Sequence, residues 1–161
     1  MMLVWAANVL GWPVIQLGIS RAMLLLPRDR FDRDTVLTRE RQWEREGRLY
    51  RDVFAIQRWK GRLPDGAGWL GGVPKKGLAS RRTSQLELFQ AETRRAELAH
   101  LLMLACAPIF YLWNPAWACI VMTGYGLATN IPCILAQRAN RIHIQRLLRR
   151  KEGSRRGLAH Q

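Results

Sequence analysis

The run Glu92-Thr93-Arg94-Arg95-Ala96-Glu97-Leu98-Ala99-His100 holds residue types that can move a proton. On a helix Thr93, Glu97 and His100 project from one face, because offsets of four and three residues return nearly the same direction. A carboxylate one turn before an imidazole can hold its tautomer and stabilise its cation, which is how a histidine general base is supported. Glu97 and His100 are therefore the candidate catalytic pair. An ion pair that simply ends an apolar span would carry the same spacing, so spacing alone leaves both readings open.

A second constellation is Asn130-Ile131-Pro132 followed by Gln137-Arg138-Ala139-Asn140-Arg141. If a helix continues past Pro132, Asn130, Gln137 and Arg141 form one stripe. An asparagine inside an apolar span needs a partner, and two arginines at its exit can grip phosphate or carboxylate bidentately. Ordinary basic flanking of a membrane helix accounts for the arginines but not for Asn130.

Other chemistries are disfavoured. There is no Gly-x-Ser-x-Gly elbow, and Cys106, Cys119 and Cys133 lie inside apolar stretches without paired spacing, so neither covalent catalysis nor a metal or disulfide framework is expected. Gly66, Gly68 and Gly71 spell a dinucleotide fingerprint, but no hydrophobic strand precedes them and Pro74 stands where the phosphate-binding helix should open. The net charge of +14 raises nucleic acid as a partner. Its placement is better explained by membrane topology, and no nucleic-acid binding is expected.

These residues must be positioned by membrane helices. Residues 2–26, 98–113 and 115–136 contain a single Lys, Arg, Asp or Glu, Arg21, while all twelve acidic residues lie elsewhere. About 20 apolar residues cross the hydrocarbon layer as a helix. The expected fold is thus all-α, an integral membrane protein with about three transmembrane helices plus an amphipathic interfacial helix. Core helices of a soluble bundle would need polar faces that the two runs around Asn114-Pro115 lack. Trp5, Trp12, Tyr111, Trp113 and Trp117 suit interfacial belts.

Residues 28–96 carry seventeen Lys or Arg and residues 137–161 carry eight, whereas Asn114-Pro115 carries none. The positive-inside rule then places the N-terminus outside the cell membrane and every connector rich in basic residues in the cytoplasm. Residues 1–27 read as a signal-like anchor that is retained, because no basic leading region precedes them. Residues 28–83 read as a cytoplasmic segment. Within it, Trp43, Tyr50 and Phe54 share one face of a helix over 36–57, with Arg39, Arg41, Arg45 and Arg48 on the other, which suits either a helix along the membrane surface or a charged helix packed on the transmembrane bundle. Five glycines and two prolines from Pro64 to Gly77 make a loop. Residues 84–150 form a helical hairpin, opened by a capping box of Ser84 and Glu87, and 151–161 form a basic tail.

At these residues the sequence resembles the glycosyl-4,4'-diaponeurosporenoate acyltransferase family, small membrane proteins of bacterial carotenoid synthesis. The resemblance spans roughly residues 50–150. It rests on Arg58-Trp59-Lys60 with Leu63, Asp65 and Gly66, on Glu92-Thr93 with Arg95-Ala96-Glu97-Leu98 and His100, and on Asn130, Pro132, Gln137-Arg138, Asn140 and Arg141. It implies an enzyme that esterifies a sugar hydroxyl of a glycosylated C30 carotenoid acid, or a similar glycolipid, with a fatty acyl group. The acyl donor would be acyl-coenzyme A or an acyl carrier protein, with no bound cofactor and no metal. In that frame His100, oriented by Glu97, is the expected base. Arg138 and Arg141, with Lys60, would hold the donor's anionic part, and Asn130 would donate to the oxyanion. Trp59, Asp65, Glu92, Arg95, Gln137 and Asn140 complete the expected substrate-binding set. The chain departs from the family pattern in using Arg over Lys and in its uncharged N-terminus. The competing expectation is a non-catalytic scaffold that binds anionic membrane lipid or a partner enzyme.

Overall fold

The computed structural model describes residues 2–63 and 82–159, and among these the ordered elements are helices and helical turns with no strand. Asp65, Gly66 and the loop expected from Pro64 to Gly77 lie outside the described residues. Three long helices dominate: α1 (Met2–Leu25), α2 (Thr83–Ala105) and α3 (Ala116–Ala159). A 3-10 turn, Ala107–Leu112, carries α2 on towards the hairpin turn at Asn114-Pro115. Three stretches are long and apolar enough to cross a membrane: Met2–Leu25, Thr83–Leu112 and Ala116–Ser154.

The helices pack through small residues, as they must where lipid removes any hydrophobic drive between them. Trp12 of α1 is 2% exposed and lies over Gly126 of α3, where an added Cβ would stand 2.5 Å from the indole ring. Its Nε1 donates to the Met122 carbonyl at 3.1 Å. Trp12 therefore does not join the interfacial belt expected from sequence, whereas Trp5, Tyr111, Trp113 and Trp117 do remain outside the packed interior. At the far end, the side-chain amides of Asn8 and Asn114 donate to each other at 2.8 Å, tying α1 to the hairpin turn.

α3 has 44 residues and so is about 66 Å long at 1.5 Å per residue, twice the hydrocarbon layer. It continues past Pro132, and what was expected as a tail from residue 151 is helical to Ala159. α2 begins at Thr83 behind Arg82, which makes no side-chain cap, so the expected Ser84 capping box is not the start signal.

Residues 28–63 form a strap across the charged ends of α2 and α3. The expected continuous helix over 36–57 is broken into short turns: Gln42–Gly47, Leu49–Val53 and Ile56–Trp59. Arg45, Glu46, Gly47 and Ala55 all adopt positive φ, which no α-helix accommodates. The physical reason is that the strap's apolar residues anchor into separate places. Phe31 packs with Met23, Ala91 and Met103, while Tyr50 and Ile56 pack against Ile142. Trp43 and Phe54, expected on the same face as Tyr50, stay outside.

Candidate functional site

Three carboxylates and three guanidinium groups meet where the strap crosses α2 and α3. Glu97 is fully buried, with one oxygen 2.6 Å from Arg138 and the other paired with Arg141, which is itself fully buried. Arg138 also binds Glu44 at 2.8 Å, and Arg94 binds Asp34 at 2.6 Å. Formal charge cancels across these six residues, which is what makes their burial tolerable. The arginines also collect strap carbonyls: Arg94 binds those of Phe31 and Asp32, Arg138 those of Leu37 and Arg39, and Arg141 that of Thr38.

Tyr50 donates its phenol proton to Glu44 and lies 3.2 Å from Arg138. Burial pushes the Glu44 carboxyl upward, but hydrogen bonds from Arg138, Tyr50 and the Arg41 backbone N–H outweigh it and hold the group below its usual range. Burial, then the Glu44 hydrogen bond and charge, push the Tyr50 phenol well above its usual value.

His100 lies one helical turn beyond Glu97 and is half-buried. Its Nδ1 is 2.8 Å from Asn130 Oδ1. Asn130 Nδ2 donates to the Gly126 carbonyl at 2.9 Å and to Thr129 Oγ1 at 3.2 Å, which fixes the amide orientation and leaves Oδ1 towards the imidazole. A carbonyl oxygen only accepts, so Nδ1 carries the proton and Nε2 the lone pair in neutral His100. Gln16 of α1 reaches Thr129 at 3.5 Å, so a polar chain from Gln16 through Thr129 and Asn130 to His100 joins all three helices.

The structure thus brings His100 and Asn130 together, and gives Glu97, the two arginines and Asn130 partners that the spacing did not show. Glu97 gives its two oxygens to Arg138 and Arg141, while His100 is bonded to Asn130. Arg138 gives its N–H groups to Glu44, Glu97 and strap carbonyls, and Arg141 is fully buried, bound to Glu97 and the Thr38 carbonyl. Asn130 does not face an oxyanion, because its amide is committed to Gly126 and Thr129.

The other expected residues surround this centre without joining it. Lys60 Nζ donates to Asn140 at 3.0 Å, and Trp59 Nε1 donates to the Phe54 carbonyl at 2.9 Å. Arg95 pairs with Glu92 at 2.9 Å and lies over the Phe31 ring. Gln137 stays half-buried on α3, and Asp65 is outside the described residues. Sequence reasoning missed Asp34, Thr38, Glu44 and Arg94. Asp34, Thr38 and Glu44 stand in a strap dense with charge, and Arg94 in a charged run of α2, where no local spacing marks the buried members.

Beside the arginine cage lies an apolar groove of about 400 Å³ between the end of α1, the strap and α2.

The family model for glycosyl-4,4'-diaponeurosporenoate acyltransferase matches residues 27–150. A protein of Staphylococcus haemolyticus (strain JCSC1435) with that name is 31% identical over 151 residues, covering 89% of this chain and 88% of its own length. One of the same name from Staphylococcus aureus (strain USA300) is 27% identical over 139 residues, covering 86% of this chain and 84% of its own. No solved structure matches. The family match begins where α1 ends and takes in the strap, the cage and the His100–Asn130 pair, and on that match the chain belongs to the glycosyl-4,4'-diaponeurosporenoate acyltransferase family and is an acyltransferase.

Proposed function

We propose that the chain transfers a fatty acyl group from a thioester donor, acyl-coenzyme A or acyl carrier protein, to a sugar hydroxyl of a glycosylated carotenoid or similar glycolipid. His100 is the general base. Its Nε2 takes the hydroxyl proton as the sugar oxygen bonds to the acyl carbon. The carbon–sulfur bond then breaks, and the same proton passes to the departing thiolate. Asn130 holds the tautomer this needs, and the Glu97 cage fixes the helices that carry both. The observation that carries this reading is the 2.8 Å contact between His100 Nδ1 and Asn130 Oδ1, in a polar chain that crosses otherwise apolar helices. Ionisable groups at such depth are costly, and a functional role is the default explanation.

The proposed topology puts the strap, the cage and the basic end of α3 in the cytoplasm, since these segments hold nearly all the Lys and Arg. His100 then stands at the inner boundary of the cell membrane, where a soluble thioester and a membrane-embedded acceptor can meet. Lipid and pigment mass spectrometry of cells producing the wild-type chain or His100→Ala tests the reading. An acyl ester present with the first and absent with the second supports it, and an ester formed equally by both removes His100 from the mechanism.

A further inference from the structure

The groove beside the cage has a defined construction. Leu98, Leu101 and Leu102 of α2 form one wall, and Ala105 marks its far end along that helix. Phe31 and Leu37 of the strap line the side nearest the charged residues, and Met23 and Leu26 close it from α1. The backbone carbonyls of both strap residues are the ones held by Arg94 and Arg138. The buried arginines, together with the apolar anchors Phe31, Tyr50 and Ile56, hold the strap over the groove.

One lining residue is charged. Arg30 is exposed beside Phe31, and among the described residues its guanidinium makes no ion pair or hydrogen bond. The site thus has an apolar interior with a single cation at its polar edge. A volume of about 400 Å³ falls at the small end of ordinary ligand pockets, roughly 300–1,000 Å³. One flexible saturated chain can fold into such a space.

We propose that this groove binds the fatty chain of the acyl donor, with Arg30 meeting the donor's anionic portion at the polar edge. The assignment rests on the acyltransferase reading above for the identity of the chain. The length of the groove, ending at Ala105, then sets which acyl chains are accepted.

The test uses the full chain in nanodiscs and three photoreactive probes with a diazirine at the end of the same fatty chain: an acyl-coenzyme A, the free fatty acid and a phosphatidylglycerol. The expected result is that the thioester labels α2 near Leu102 and Ala105. Leu102→Trp should reduce that labelling at least tenfold, and Arg30→Glu several-fold. Ala105→Leu, a milder change, should shift transfer towards shorter chains, with roughly fourfold weaker binding for each methylene excluded. Labelling unchanged by Leu102→Trp, with chain preference unchanged by Ala105→Leu, overturns the proposal. So does labelling by phosphatidylglycerol or free fatty acid but not by the thioester. Labelling needs no turnover, so a protein that binds the thioester in the groove yet forms no ester contradicts the proposed function and leaves the groove assignment standing.

Discussion

Glu97 and Arg141 form an ion pair in which neither side chain is exposed to solvent at all. They come from different helices 44 positions apart, so the pair reports the docking of α2 against α3. Removing one partner of a buried pair strands the other charge, at a cost of about 3–5 kcal/mol. Glu97→Ala is expected to melt far below wild type in detergent, while Arg51→Ala, which loses only an exposed neighbour pair, should change stability little. A Glu97→Ala protein as stable as wild type would remove the cage from the fold's account.

His100 and Asn130 should behave differently from Glu97. His100→Ala is expected to insert and melt normally yet lose about 10²–10⁴-fold in kcat, the usual worth of a positioned base. Asn130→Ala should lower kcat less and alter its pH profile, because the imidazole would no longer be held in one tautomer. Steady-state kinetics across pH on both variants checks this, and an Asn130→Ala profile matching wild type would deny the positioning role.

The strap predicts a window of pH stability. The folded Glu44 carboxyl titrates below its ordinary 4.5, so the stability it confers is present above that pH and is lost as the pH falls through the lowered folded value. The folded Tyr50 phenol titrates above its ordinary 10.0, so its contribution is full below that pH and is lost as pH rises. Thermal melts should fall off on both sides. Glu44→Gln should flatten the acid limb, and an acid limb identical in that variant would mean another carboxylate governs it.

Gly126 is required by the approach of Trp12. A Cβ there would also stand 2.6 Å from the outer indole carbon, so the helices must separate or the indole must leave its place. Gly126→Ala is expected to cost about 1–3 kcal/mol, with part recovered by Trp12→Phe in the double variant. Detergent melts of the four proteins check it, and strict additivity would mean the two residues do not share the strain.

The helices were legible because charge is segregated so completely along the chain that spans announce themselves without any knowledge of packing. His100 was legible from its type and depth. Its partner was not, because sequence shows neighbours three residues away, such as Glu97, more readily than Asn130 at a separation of 30. The strap was misread for the same reason. Trp43, Tyr50 and Phe54 have helical spacing, yet only Tyr50 is buried, because backbone carbonyls at Leu37, Thr38 and Arg39 are claimed by arginines about a hundred residues later. Nothing local to residues 36–57 encodes that claim. Periodicity reports a face, and the arginine cage decided what the face met.

Two of the three arginines that fasten the strap, Arg138 and Arg141, follow their strap partners by about a hundred residues. A ribosome adding about 5–20 residues per second reaches Arg138 and Arg141 several seconds or more after the strap has emerged. Until then Glu44 and Glu97 lack the counter-ions, and the carbonyls of Leu37, Thr38 and Arg39 the donors, that they have in the folded chain. Fastening of the strap thus waits on α3.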